Sequence, residues 1–316
     1  MLPNETLLFV IFNIFVLIML AVDLGVFNRE PHKITIRESL IWSAVWIGLA
    51  LLFGAGMWYF EGAEVGLKYL SGYLIEKSLS MDNLFVFLMI FTYFKVDKIY
   101  QHKVLFWGIV GALVFRALFI FAGVAVLNKF HWVIYVLGAF LIYTGYKMAV
   151  DSGREIDVEH NPVLRAVRRM FPVTEQYHGR NFFIRTSGKL FATPLFVVLI
   201  AIETTDIMFA VDSIPAILAI TRDPFIVYSS NVFAILGLRA LFFALDGIMQ
   251  LFEYLHFGLA AILVFVGIKM LLSEVLHIPV WIALSVIAVI LTVTIVTSVR
   301  HAKKQKPATD KNIDGN

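Results

Sequence analysis

The sequence lacks cysteine altogether and has few charged residues. Charged side chains make up 16% of its 316 residues, whereas about 25% is usual in soluble proteins. Without cysteine, the chain itself cannot form disulfides, iron–sulfur clusters, thiolate metal sites or thiol redox pairs. The net charge of +3 is small and dispersed along the chain. This excludes a basic nucleic-acid-binding protein, so we expect no nucleic-acid partner.

What the sequence does contain is largely apolar. Hydrophobic residues make up 60% of the chain, and the mean hydropathy is +0.84. A soluble fold could not keep so much apolar surface away from water, so we expect the chain to lie in a lipid bilayer. Apolar stretches of about 20 residues predict spanning helices, and the expected fold is an all-α membrane protein. Nine spans are predicted, at residues 7–27, 40–60, 71–94, 104–127, 132–150, 192–220, 225–250, 257–276 and 278–299.

Lysine and arginine are distributed unevenly between the predicted loops. With the N-terminus outside, the inner segments carry 18 of these residues, whereas the outer segments carry only Lys68, Lys129 and Arg222. Positive charge collects on the cytoplasmic side of membrane proteins. The distribution therefore predicts an N-out, C-in topology, which requires an odd number of spans.

An internal repeat relates spans 3–5 to spans 6–8. The fifth span ends in Gly145–Met148 and the eighth in Gly267–Met270, and both segments carry a Gly-x-Lys-Met pattern. Gly145 and Gly267 are 122 residues apart. Arg116 and Arg239, which each begin an Arg-Ala-Leu-Phe segment, have nearly the same spacing, 123 residues. Because each repeat has three spans, the copies are expected to face opposite ways. Such inverted-topology repeats are typical of secondary transporters, whose sites lie near the bilayer midplane.

The predicted organisation has six parts. Most of them are membrane helices, and the charged loop is expected to be a solvated connector between the repeats. The parts are two N-terminal transmembrane helices (1–70), the first three-helix repeat (71–150), a charged cytoplasmic loop (151–190), the second repeat (191–276), the last helix (277–300) and a disordered cytoplasmic tail (301–316).

Five carboxylates fall inside predicted spans. Each acidic residue in the middle of a spanning helix costs about 2.5–3.5 kcal/mol to insert, so such residues usually mark a pathway or a site. The alternative is that they join neighbouring helices, although amides and hydroxyls suffice for that role. We favour a site. The five residues are Glu76, Asp82, Glu203, Asp206 and Asp212.

The spacing of the acids raises a geometric problem. Asp206 and Asp212 are six residues apart, so on a straight helix they would point in different directions. We therefore expect a broken helix near Pro215, and a local unwinding near Ser78 and Ser80 in the other repeat. The supporting hydroxyl groups and the helix-breaking proline are expected to be Ser80, Thr205, Ser213 and Pro215.

Oxygen ligands of this kind select a hard or borderline divalent cation: Mn²⁺, Ca²⁺ or Mg²⁺. The ion is expected as a transported substrate, and no prosthetic group is expected. The eight histidines lie in loops or near span ends, which argues against an imidazole site for Zn²⁺ or Cu²⁺. Arg116 and Arg239 fall inside spans, and they are either structural counter-ions or mobile cations that pair with the acids when the ion leaves.

Three stretches resemble the signature sequences of the TerC family, whose name comes from tellurium resistance, and in particular its Alx-type branch. They are Glu76–Asn83, Phe209–Ala216 and Ser230–Ala240. The resemblance implies a multi-pass protein of the bacterial cytoplasmic membrane, linked to Mn²⁺ efflux and to metal supply for exported metalloenzymes. It also implies that the five acids, together with Asn83, bind the metal. Alx-type members are also described as alkaline-induced proteins or redox modulators.

The resulting expectation is an exporter of Mn²⁺ that works by alternating access. Burial disfavours the charged form of a carboxylate, so outside protons are expected to displace the ion. The alternative is a membrane scaffold, or a stress or metal sensor, that transports nothing. An enzyme is not expected, because the sequence has no evident nucleophile–base pair and no His-Glu-x-x-His motif.

Overall fold

The fold consists of long helices and one short β-hairpin. The computed structural model describes residues 3–27, 36–130, 132–150, 165, 169, 172–174, 176–186, 189–245, 254–273, 275 and 278–305. The elements are α1 (Pro3–Phe27), α2 (Ile36–Glu61), α3 (Ala63–Tyr93), α4 (Lys98–Lys129), α5 (Val133–Val150), β1 (Phe183–Thr186), β2 (Lys189–Ala192), α6 (Pro194–Leu218), α7 (Pro224–Leu236), α8 (Leu238–Leu245), α9 (Leu255–Leu271) and α10 (Val280–Gln305).

A helix occupies each of the nine predicted positions, since α7 and α8 adjoin at Gly237 and together fill the seventh. Within the described residues, six segments are long and apolar enough to cross a membrane, and α1 and α9 contain shorter apolar helices. The prediction of a mainly helical, multi-pass membrane protein is confirmed. The six segments are Arg37–Glu61, Lys98–Lys129, Val133–Val150, Pro194–Leu218, Pro224–Ala244 and Val280–His301.

The predicted breaks in the acidic helices are wrong. Helix α6 continues through Pro215 to Leu218, and α3 continues through Ser78 and Ser80. A proline removes only one backbone donor, and the surrounding helix bonds are enough to hold α6 together in a membrane protein. The Ser78 hydroxyl donates to the Leu74 carbonyl at 2.6 Å, one turn back in the same intact helix. The interruption lies instead at Gly237, between α7 and α8.

Helices α3 and α7 form the centre of the protein. Helix α3 packs against α2, α6 and α7. Every residue of α7 from Ile226 to Leu236 is buried. A helix that is buried on all sides by other helices can carry polar groups that lipid would not tolerate, because only protein surrounds them. This centre is where the acidic residues of α3 meet those of α6.

Helices α5 and α9 pack closely through glycines. A Cβ atom on Gly145 would lie 2.7 Å from the Ala260 carbonyl oxygen and 2.8 Å from Val264 Cγ2. A Cβ atom on Gly267 would lie 2.7 Å from the Gly138 carbonyl oxygen and 2.8 Å from Ile142 Cγ1. Gly145 and Gly267 are 122 residues apart, and so are the residues that they meet, Ala260 and Gly138 in one case and Val264 and Ile142 in the other. This is the offset between the two Gly-x-Lys-Met motifs. Small residues of this kind let membrane helices approach closely.

The end of the charged loop folds onto the turn between α3 and α4. Strands β1 and β2 pair antiparallel, with Phe183 opposite Ala192. The hydroxyl of Tyr177 donates to the Phe94 carbonyl at 2.7 Å, and burial together with the negative charge of Asp97 raises the pKa of Tyr177. The ammonium of Lys103 donates to the Arg180 carbonyl. This part of the loop therefore contacts the turn between α3 and α4 through an aromatic side chain and a lysine, while most of its described residues stay at least partly exposed. Most of residues 151–171 and the tail beyond Gln305 lie outside the described residues.

Candidate metal-ion site

Arg116 joins two acidic helices at the centre of the protein. Its Nε donates to Asp206 Oδ2 at 3.1 Å and its Nη2 to Asp206 Oδ1 at 2.8 Å, which is a bidentate pair. Its Nη1 donates to Glu76 Oε1 on α3. The three side chains are almost completely buried. A bidentate guanidinium fixes the geometry of its carboxylate, so Arg116 acts here as a structural counter-ion.

This cluster lies halfway along its helices. Glu76, Arg116 and Asp206 fall within three residues of the midpoints of α3, α4 and α6. Around Arg116 one guanidinium faces two carboxylates, and two further buried cations, Lys77 and Arg239, lie on α3 and α8. An unbalanced charge in such surroundings is costly unless a cation or a proton neutralises it. The second oxygen of Glu76, Oε2, is buried and accepts no hydrogen bond.

Glu203 lies three residues before Asp206 on the same helix. Its carboxylate packs directly against Gly111 of α4, so closely that a Cβ atom on Gly111 would overlap it. Its Oε2 atom is buried and has no hydrogen-bond partner. Residues three apart on a helix are neighbours on its surface, so Glu203 adds a further carboxyl group about one turn from the Arg116 cluster. The sequence had not indicated the role of Gly111, whose missing side chain makes room for this carboxylate.

Asp212 occupies a different place from the other acids. The hydroxyl of Thr144, on α5, approaches its Oδ1 at 3.4 Å. The straight course of α6 explains the separation, since residues six apart face different directions. The side chain of Asp82 lies outside the described part of the structure. Asn83, beside it on α3, is buried.

The predicted supporting residues divide into two groups. The Ser80 hydroxyl approaches Glu76 Oε1 at 3.5 Å, so it belongs to the cluster. Ser213 is buried, and its hydroxyl oxygen has no partner. Thr205 instead donates to the Ala201 carbonyl of its own helix at 2.7 Å. Pro215 is buried within α6 and opens no gap there.

Arg239 and Asp206 are the charged residues that line a small cavity between α3, α4, α6 and the junction of α7 with α8. Its other walls are apolar and include Leu84, Gly108 and Ile235. Arg239 is 4% exposed. The cavity joins segments that are far apart in the sequence, because Arg239 lies on α8, Leu84 on α3 and Gly108 on α4.

Lys77 stabilises the end of α7, where the helix is interrupted at Gly237. Its ammonium donates to the Ala234 carbonyl at 3.3 Å and lies beside Gly237, where a Cβ atom would be 3.0 Å from its Nζ. In an unbroken helix, the N–H of Leu238 would bond to the Ala234 carbonyl. Lys77 therefore satisfies an acceptor at the end of α7. The sequence showed a buried lysine but not this role, which depends on a contact between residues 157 positions apart.

The described residues contain no group of three or more Asp, Glu, His or Cys side chains arranged to hold a metal ion. The structure thus brings two of the predicted acids together, Glu76 and Asp206, and places Glu203 nearby. It leaves buried oxygens without partners on α3 and α6, and it adds a buried amide on α7, that of Asn231, with both polar atoms unpartnered. Carboxylate, hydroxyl and amide oxygens are the ligand types that a hard divalent cation takes.

Comparison with known proteins assigns the chain to a family. Residues 61–306 match the integral membrane protein TerC family. An uncharacterized membrane protein of Myxococcus xanthus, STKORF319, is 52% identical over 92% of both chains. A protein of Salmonella typhi called "putative membrane-bound redox modulator Alx" is 47% identical over 93% of this chain and 95% of its own. The Escherichia coli K12 protein of the same name is 46% identical over 93% and 96%. No solved structure matches.

Proposed function

Because this chain belongs to the TerC family of integral membrane proteins, we propose that it is a secondary transporter rather than an enzyme, and that it exports Mn²⁺ across the bacterial cytoplasmic membrane. The observation that carries this proposal is the buried cluster of carboxylates at the helix midpoints, with a Glu76 oxygen that has no hydrogen-bond partner. Glu76 and Asp206 share one guanidinium there, and Glu203 lies one turn away. A divalent cation neutralises such a site, and a midplane position suits alternating access.

The proposed architecture is a pair of inverted three-helix repeats with an N-out, C-in topology. The close contacts between α5 and α9 support it, because the contacts that Gly145 makes with α9 are equivalent to those that Gly267 makes with α5. Equivalent residues on the two helices are 122 positions apart. Gly138 faces Gly267 and Gly145 faces Ala260, so the two helices run antiparallel. Two antiparallel helices with equivalent contacts are related by a twofold axis perpendicular to both. In a membrane, that axis lies in the bilayer plane, as inverted repeats require.

In the proposed cycle, the carboxylates of Glu76, Asp206 and Glu203 attract the ion from the cytoplasm. Arg116 holds the first two carboxylates in position. Its positive charge reduces the negative charge of the site when no ion is bound. The repeats then rock against each other, and the site opens to the outside. Protons from outside displace the ion by neutralising carboxylates, since burial disfavours their charged forms. The exported Mn²⁺ would be available to metalloenzymes outside the membrane.

A second candidate is a membrane scaffold or stress sensor that transports nothing. The observation that favours it is that Arg116 ties α3, α4 and α6 together, as a structural ion pair would. Two relatives carry a redox name. This chain has no cysteine with which to carry out thiol chemistry itself. In a scaffold, the carboxylates would matter for stability and not for the movement of ions.

The test is flux of Mn²⁺, Ca²⁺ and Mg²⁺ in proteoliposomes, with and without a pH gradient. We expect wild type to move Mn²⁺ and Asp206→Asn to lose that flux. The matched control is Glu64→Gln, whose parent side chain is 74% exposed and pairs with Lys68 on the surface. Flux lost in Asp206→Asn and kept in Glu64→Gln supports the transporter. Wild type that moves none of the three ions, with Asp206→Asn only less stable, would establish the scaffold.

A further inference from the structure

Three helices meet at Gly72 of α3. A Cβ atom on this glycine would lie 2.8 Å from Ser230 Oγ on α7 and 3.2 Å from Ile217 Cγ2 on α6. No larger side chain fits at this crossing without a shift of its neighbours. The crossing gives a fixed reference point from which residues on all three helices can be placed.

Buried polar atoms without partners lie next to this crossing on each helix. Glu76 follows Gly72 by four residues, and Ser213 precedes Ile217 by four, so both return to the helix face that meets at the crossing. Because α3 and α6 run in opposite directions, both positions lie one turn from it on the Arg116 side. Asn231 directly follows Ser230. The unpartnered atoms are Glu76 Oε2, Ser213 Oγ, Asn231 Oδ1 and Asn231 Nδ2.

Asn231 shares a helix face with a residue that lines the cavity beside Asp206. Ile235, one turn later on α7, lines that cavity, and residues four apart share a helix face. Asn231 is 1% exposed, Ser213 2% and Glu76 0%. A buried polar group that is left without a hydrogen bond destabilises the folded protein. An asparagine, a serine and a glutamate that all bear this cost beside one crossing require an explanation that ordinary packing does not supply.

We propose that Asn231 and Ser213 supply neutral oxygen ligands to the transported divalent cation, beside the free Oε2 of Glu76. The ion then binds about one turn away from Arg116 and does not replace it. Carboxylate, amide and hydroxyl oxygens together form a ligand set for a hard or borderline divalent cation. This inference rests on the proposed transport function, and it adds a residue of α7 to a site otherwise formed by α3 and α6.

The variant Asn231→Leu separates a ligand from a structural residue. Removing an unpartnered buried amide in favour of an apolar side chain of similar size should leave the protein as stable as before, or more so. If the amide binds the ion, the Mn²⁺ concentration for half-maximal flux should rise roughly tenfold, the lower end of losses seen when the surroundings of a metal are altered. Asn231→Asp keeps an oxygen ligand and should retain transport. Ser213→Ala should shift the half-maximal concentration in the same direction as Asn231→Leu.

The matched control is Asn13→Leu on α1. Both amide atoms of Asn13 are bonded, Nδ2 to the Phe9 carbonyl at 2.8 Å and Oδ1 from the Tyr228 hydroxyl at 2.7 Å. This variant should lose thermal stability in detergent and keep the wild-type half-maximal concentration. Wild-type flux with an unchanged half-maximal concentration in both Asn231→Leu and Ser213→Ala would overturn this inference alone. Absence of flux in wild type would overturn the transport function, and this inference with it.

Discussion

The cluster around Arg116 and the contact between α5 and α9 are built from the same repeated sequence, but they have opposite physical characters. The α5–α9 contact is apolar, formed by glycines and backbone atoms, and its two halves are equivalent under the 122-residue offset. The Arg116 cluster is charged, with more carboxylates than cations and with unpartnered oxygens. The second region thus contains buried oxygens that no protein group satisfies in the described part of the structure.

The repeat is also less exact in the charged region. Glu76 and Asp206 are 130 residues apart, as are Asp82 and Asp212, but the same offset relates Lys77 to Ile207 and Tyr73 to Glu203. In the proposed cycle, the symmetric contact is the pivot between the repeats, and the departures from symmetry lie at the acidic helices. The predictions that follow disturb each region in turn.

The largest effect should come from Arg116→Leu. This change leaves the Glu76 and Asp206 carboxylates buried without their counter-ion, and breaking a buried pair in this way costs about 3–5 kcal/mol. Thermal unfolding of the purified protein in detergent measures the loss. Adding Glu76→Gln and Asp206→Asn to the same chain removes the uncompensated charge, so the triple variant should recover most of the stability. A single variant as stable as wild type would show that the guanidinium balances no buried charge.

A smaller and symmetric effect should come from Gly145→Ala and Gly267→Ala. Each new Cβ atom would meet a carbonyl oxygen at 2.7 Å and a backbone nitrogen at 3.1 Å. Such overpacking costs about 1–3 kcal/mol. Because the two surroundings are equivalent, the two variants should lose the same amount of stability in the same thermal assay.

Gly56→Ala is the control for these two variants, since nothing lies within 4 Å of its added Cβ atom. This change should be neutral or slightly stabilising, because alanine favours a helix more than glycine does. Clearly unequal losses at Gly145 and Gly267 would contradict a twofold relation between α5 and α9.

Much of the fold could be predicted from the sequence because the bilayer imposes a simple rule on it. Long apolar stretches must form helices in lipid, and all nine positions proved helical. The straight course of α6 could not be predicted, since Pro215 is a strong helix breaker in isolation. In the folded protein, the helix hydrogen bonds of the residues around Pro215 outweigh its effect. The break at Gly237 is stabilised by Lys77 from a distant part of the chain, and no local pattern reports such a contact.

The candidate site was predictable in its residue types but not in its pairing. Acids inside apolar spans indicated a buried site, and the structure brings Glu76 and Asp206 to Arg116. The separation of Asp212 follows from a helix that does not break. The role proposed for Asn231 as a ligand could not be predicted from the sequence. An asparagine in an apolar helix becomes notable only when both amide atoms are seen to be buried without hydrogen-bond partners.

The most direct measurement of the central claim is Mn²⁺ binding to the purified protein, followed by the loss of the free-ion signal in electron paramagnetic resonance. Wild type should bind a single ion per chain in a saturable manner, and lowering the pH should release it as the carboxylates take up protons. Glu76→Gln keeps the shape of the side chain but removes the negative charge, and it should abolish binding. Equal binding by wild type and Glu76→Gln would contradict the account, because the ion would then not be held by the buried carboxylates.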